Sequence, residues 1–167
     1  MGELSQLQGD LERALQYHRE ARDLFEKVGA PDWGVAELQM GIVLLEKGNF
    51  GDARERIEGI LAHFDGRTEN HWSGYGRACL LPCLAHHSDW EKWDDYLSSA
   101  RFLIQKTALV EPNIARMAVK GGDIAMAMGE FDRAGDVFAL AFHQFQSMGD
   151  DRGLDGIQRR RKMLMGG

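Results

Sequence analysis

Leu11, Ala14, His18, Ala21, Phe25 and Val28 follow one another at steps of 3, 4, 3, 4 and 3 residues, with mostly polar residues between them. That spacing tracks the 3.6-residue helical repeat and predicts one amphipathic helix with a single apolar face. The same pattern returns 120 residues later as Phe131, Ala134, Phe138, Ala141, Phe145 and Met148. It also returns 39 residues after the first copy as Phe50, Ala53, Ile57, Ile60 and Phe64, and 79 after it as Trp90, Trp93, Leu97, Ala100 and Ile104. Four copies near a 40-residue spacing predict a repeat architecture.

A short turn precedes each copy: Gly9-Asp10, Gly48-Asn49, Ser88-Asp89 and Gly129-Glu130. Gly ends a helix in the left-handed conformation, and Asp, Asn or Ser caps the next one. Ser88 and Glu91 also fit a capping box. Before the turns, helices are predicted over roughly 33 to 47, 72 to 87 and 112 to 128, with Pro112 suited to a first turn. Their stripes are Met40, Gly41 and Leu44, then Leu80, Leu81 and Leu84, then Gly121, Gly122 and Ala125. The segments "GAPDWG", "DGRTENHW" and the stretch around "VEPN" read as loops between units. Glycine in the first helix and alanine in the second permit the close crossing of an antiparallel pair. One pair alone cannot bury both apolar faces, so the pairs are expected to stack.

The order of small and large residues in Gly41, Leu44, "GNFGDA" 48 to 53, Ile57 and Ile60 resembles the tetratricopeptide repeat, and "GDLERALQYHREA" 9 to 21 looks like its second helix. "VGAPDWGVAELQMG" 28 to 41 is similar to the long-period variants of bacterial regulators, whose repeats often trail an ATPase, kinase or DNA-binding domain. The resemblance implies an all-α, right-handed α-solenoid of helix-turn-helix repeats over 1-167, as one domain. Its repeats would span about 1-29, 33-65, 70-107 and 112-149, with a partial one at 150-165. The half-length first unit and the unpaired helix at "DDRGLDGIQRRRKMLMGG" suggest a fragment of a larger protein, or ends that dock on another subunit. Trp93 departs from the pattern by standing where a small residue belongs, and Arg77 by occupying an apolar place. Pro82 inside its helix predicts a kinked or splayed third unit, with Trp72, Trp90 and Trp93 filling the space.

Composition narrows the function. The 167 residues are 44% hydrophobic and 28% charged, with a formal charge of −6, which argues against non-specific nucleic-acid binding. No segment approaches the roughly 18 consecutive apolar residues a membrane helix needs, and no signal peptide is recognisable, so a cytoplasmic location is expected. Gln6 stands where a myristoylation signal wants Ser or Thr. Two cysteines are too few for a disulfide scaffold.

No phosphate loop, nucleophile elbow, HExxH motif or paired carboxylates is present, so no enzyme activity and no catalytic residue is expected. His18 replaces the Ile57, Leu97 and Phe138 of the other copies and reads as a packing residue. Cys79, Cys83, His86 and His87 share one helical side, but Pro82 and the flanking leucines favour buried thiols over a zinc site, and no metal or cofactor is expected.

In tetratricopeptide arrays the first helices line the concave surface. The resemblance therefore implies a partner-binding face built from Val35, Leu38, Gln39 and Ile42, then Tyr75, then Arg116, Val119 and Lys120: an apolar floor with a basic end. Gln39 and Cys79 replace the asparagines of the family's carboxylate clamp, so the complete clamp is absent. Arg116 and Lys120, one turn apart, can approach the same carboxylate, and "RRRK" 159 to 162 extends the basic end. The function expected is a non-catalytic scaffold for a protein or peptide segment with an acidic portion. Nucleic acid is disfavoured, and self-association through the uncapped ends is a further expectation. The alternative is a ligand-sensing or autoregulatory segment of a larger bacterial signalling protein.

Overall fold

The computed structural model describes residues 1–66 and 71–166. Among them the regular structure is entirely helical. In order the helices are α1 (Gly2–Leu7), α2 (Leu11–Lys27), α3 (Trp33–Glu46), α4 (Phe50–Asp65), α5 (His71–His86), α6 (Trp90–Thr107), α7 (Pro112–Ala127), α8 (Phe131–Met148) and α9 (Asp151–Met165). Of the loop expected at "DGRTENHW", residues 67–70 lie outside the described residues, as does the start of the repeat expected at 70.

Contacts divide the chain into two compact units, Met1–Trp72 and Ser73–Gly167. In the first, α1 packs on α2, α2 on α3 and α3 on α4. In the second, α7 packs on α8, α8 on α9 and α6 touches α8. The helices meet where the sequence supplies a glycine. A Cβ added to Gly2, Gly41 or Gly122 would fall 2.6, 2.4 or 2.3 Å from the side chain of His18, Ile57 or Phe138 respectively. Each of these side chains lies 16 residues after its glycine. The second helix therefore presses one large residue onto bare backbone of the first.

The turns share a conformation. Gly9, Gly48 and Gly129 have φ of +79°, +78° and +83°, and Ser88 takes +55°. Asp10 and Asn49 then cap α2 and α4, accepting from the backbone N–H of Arg13 and Asp52. The capping box expected of Ser88 does not form. Asp89 is the N-cap, and the left-handed turn sends the Ser88 hydroxyl 3.9 Å from Sδ of Met128. α5 runs through Pro82 with that residue buried. Trp93 is fully buried in the second unit, with Trp90 edge-on to it at 5.8 Å, while Trp72 in the first unit stacks on Phe64 at 6.3 Å. Arg77 accommodates its departure by lying over the Tyr96 ring and donating to the Ser73 hydroxyl.

Candidate partner-binding faces

The residues expected on the binding face separate by exposure. Leu38, Ile42 and Tyr75 have no exposed surface, and Gln39 keeps 5%. These four are corrected from docking residues to interior ones as the chain stands. The reason lies in α3 and α5 themselves. Between Val35 and Leu45 the only polar side chains are Glu37 and Gln39, and such a helix, apolar almost all round, belongs inside. Facing away from one neighbour is not the same as facing water.

Val35 on α3 remains half-buried in the first unit, and Arg116, Val119 and Lys120 on α7 are half-buried in the second. α7 is amphipathic where α3 and α5 are not, because Arg116, Lys120 and Asp123 recur at helical spacing along one side. Tyr75 positions this side from within: its hydroxyl accepts from Nδ2 of Asn113 at 2.9 Å, and Oδ1 of Asn113 accepts from Nη1 of Arg116 at 3.1 Å. The sequence reading missed Asn113, although Asn113, Arg116 and Lys120 share the i, i+3, i+7 spacing of one face.

Burial pushes the Arg116 guanidinium below its ordinary value. It does the same to the Lys120 ammonium, with the neighbouring Arg116 adding to the fall and the Cys83 thiol opposing it. Both cations therefore sit where water solvates them incompletely, which strengthens their pull on an anion.

The "RRRK" run is dispersed by the helix that carries it. Arg160 reaches α7 and holds Asp123 through two hydrogen bonds of 2.6 and 2.8 Å, which raises its already high pKa. Arg161 lies over the Phe142 ring of α8 at 5.3 Å, while Arg159 and Lys162 are exposed. Asp123 and Arg160 thus continue the side begun by Arg116 and Lys120, but as a neutral pair.

Cys79 and Cys83 are buried and unoxidised. Burial, with Glu111 and Cys83 as lesser causes, pushes the Cys79 thiol well above its usual range and leaves it inert. His86 and His87 are exposed, and Nδ1 of His87 lies 2.7 Å from the Cys83 carbonyl. Among the described residues no three His, Cys, Asp or Glu side chains converge.

No protein-family model matches the chain, and no curated protein matches it in sequence. Among solved structures it is similar to the crystal structure of a putative kinesin light chain from Podosopora anserina, described as having nearly identical TPR-like repeats. The two share 12% identity with a TM-score of 0.61, over 98% of this chain and 90% of that one. At that identity the likeness establishes the fold: an all-α solenoid of TPR-like helix hairpins.

Proposed function

We infer that the chain is a non-catalytic scaffold that binds a protein or peptide segment, and that the α7 side carrying Arg116 and Lys120 receives an acidic portion of it. TPR-like folds generally bind protein partners, and no described helix is long and apolar enough to cross a membrane.

The observation that carries the reading is the pair itself: two partly desolvated cations one turn apart, the first oriented by Asn113 from the buried Tyr75 hydroxyl. A carboxylate meeting both would form charge-assisted hydrogen bonds stronger than those at a fully solvated surface. Val119, half-buried on the same helix, supplies an apolar contact beside them. The buried Tyr75 supports this surface from within and does not touch the partner.

A random peptide library displayed and selected on the intact chain should enrich sequences containing Asp or Glu. Arg116→Gln with Lys120→Gln should weaken the selected peptides by about tenfold or more, with unchanged helical circular dichroism. Enrichment without acidic residues, or binding indifferent to both substitutions, would remove the α7 side from the reading.

A further inference from the structure

In the unit Met1–Trp72, a cleft of about 580 Å³ opens between α2 and α4 with α3 as its floor. The half-buried Leu15 and Leu44 supply the apolar part of its lining, above the nearly buried Met40 and Ile60, and Trp33, packed against the His63 ring at 4.6 Å, lies at one end. The two walls carry opposite charges. Arg19 projects from α2 and Glu55 from α4, both exposed, and neither is bonded to another described residue. Asp52 adds to the acidic wall. The cation that could offset it, Arg56, is already engaged: together with Arg22 it clasps Glu37, which is only 9% exposed.

Gly59 adds an independent sign. It sits inside α4 and lines the cleft, yet a Cβ there would meet no heavy atom within 4 Å. Glycine within a helix is less favourable than alanine, so a helical glycine without a close contact weakens the fold and gains nothing in packing. What its bare backbone does provide is room in the cleft.

We propose that this cleft is a second docking site, which receives an amphipathic α-helix of a partner protein: apolar stripe on the floor, an acidic residue beside Arg19 and a basic residue beside Glu55. The walls are helices and offer no strand edge, so a helix laid in the groove is the recognition mode that fits. From Trp33 to Leu44 the floor runs roughly 16 Å at ~1.5 Å per residue, enough for about three turns of partner helix. The cleft between α6 and α8 in the other unit does not match it. At about 310 Å³ it is smaller, and its cation, Arg101, already donates to the Asp136 carbonyl.

The probe is a fluorescent, helix-stabilised peptide of about four turns, with a leucine stripe flanked by Glu on one side and Lys on the other, titrated against the intact chain. Arg19→Glu and Glu55→Arg should each weaken binding by roughly tenfold. The double variant should recover most of it, because the peptide reversed end for end presents its flanks to the exchanged charges. Gly59→Leu should abolish binding while the thermal midpoint stays at or above that of the parent chain.

Failure of the peptide to bind, failure of the double variant to recover, or indifference to Gly59→Leu would overturn the proposal. So would self-association of the chain that Gly59→Leu abolishes, since a second copy would then be the occupant. Arg116→Gln with Lys120→Gln should leave this peptide's affinity unchanged. Loss of binding in that variant would place the peptide on α7 and refute the cleft without touching the reading of the α7 side.

Discussion

Trp93 lies against Gly121: a Cβ built on that glycine would stand 3.1 Å from Cη2 of the indole and 3.3 Å from the backbone nitrogen of Pro82. A tryptophan at a small-residue position is thus balanced by a glycine on the next hairpin's first helix. The same Cβ would also crowd α5, at the Pro82 nitrogen that carries no hydrogen. The irregular Trp93 and the irregular Pro82 are answered by one missing side chain.

Gly121→Ala should therefore cost about 1–3 kcal/mol by overpacking, and Trp93→Ala about 3–5 kcal/mol through the cavity it leaves. Urea unfolding of both single variants and the double variant should show a combined loss smaller than the sum. Simple additivity would mean the two positions do not share the strain.

The pair Gly122 and Phe138 carries a second test. With the ring 2.3 Å from the position of a Cβ, Gly122→Ala cannot be accommodated by a small rotation. A loss of about 1–3 kcal/mol is expected. Phe138→Leu in the same chain should return part of it, because the shorter side chain vacates the space the new methyl needs. If the double variant is less stable than Gly122→Ala alone, the crossing is not limited by this contact.

Ser88 and Ala108 hold left-handed backbone, at φ of +55° and +50°, without being glycine. Ser88→Gly and Ala108→Gly should each raise stability by about 1 kcal/mol, because a Cβ in that region crowds the following carbonyl. The Ser88 hydroxyl's contact with Met128 is weak and loses little. Calorimetry showing a lower midpoint for Ser88→Gly would mean that its hydroxyl does more than the geometry allows.

How far the sequence could be read follows from the same residues. Helices announce themselves through spacing and caps, and Gly9, Gly48 and Gly129 mark turns because left-handed backbone favours glycine. Periodicity says which residues share a side but not how many sides are covered. That distinction moved Leu38, Ile42 and Tyr75 from surface to interior. Arg116 and Lys120 stayed legible, since a charged pair at helical spacing must reach solvent or a counter-charge. The cleft at Arg19 and Glu55 was not legible: its walls come from helices more than thirty residues apart, and neither charge belongs to a motif.

Lys120 links the proposed binding surface to stability. Burial first, then repulsion from Arg116, holds its ammonium below the ordinary 10.5. The unfolded chain therefore binds this proton more tightly than the folded one. Charged Lys120 subtracts from stability at every pH below its lowered value, and the loss is relieved as pH rises from that value to 10.5. Lys120→Met keeps the aliphatic bulk and removes the charge, so it should raise the thermal midpoint at neutral pH and flatten that alkaline rise. The same variant should bind acidic peptides less well, separating what the ammonium costs the fold from what it offers a ligand. A lower midpoint at neutral pH would show that the ammonium is stabilised where it stands, and burial would no longer be a source of its pull on anions.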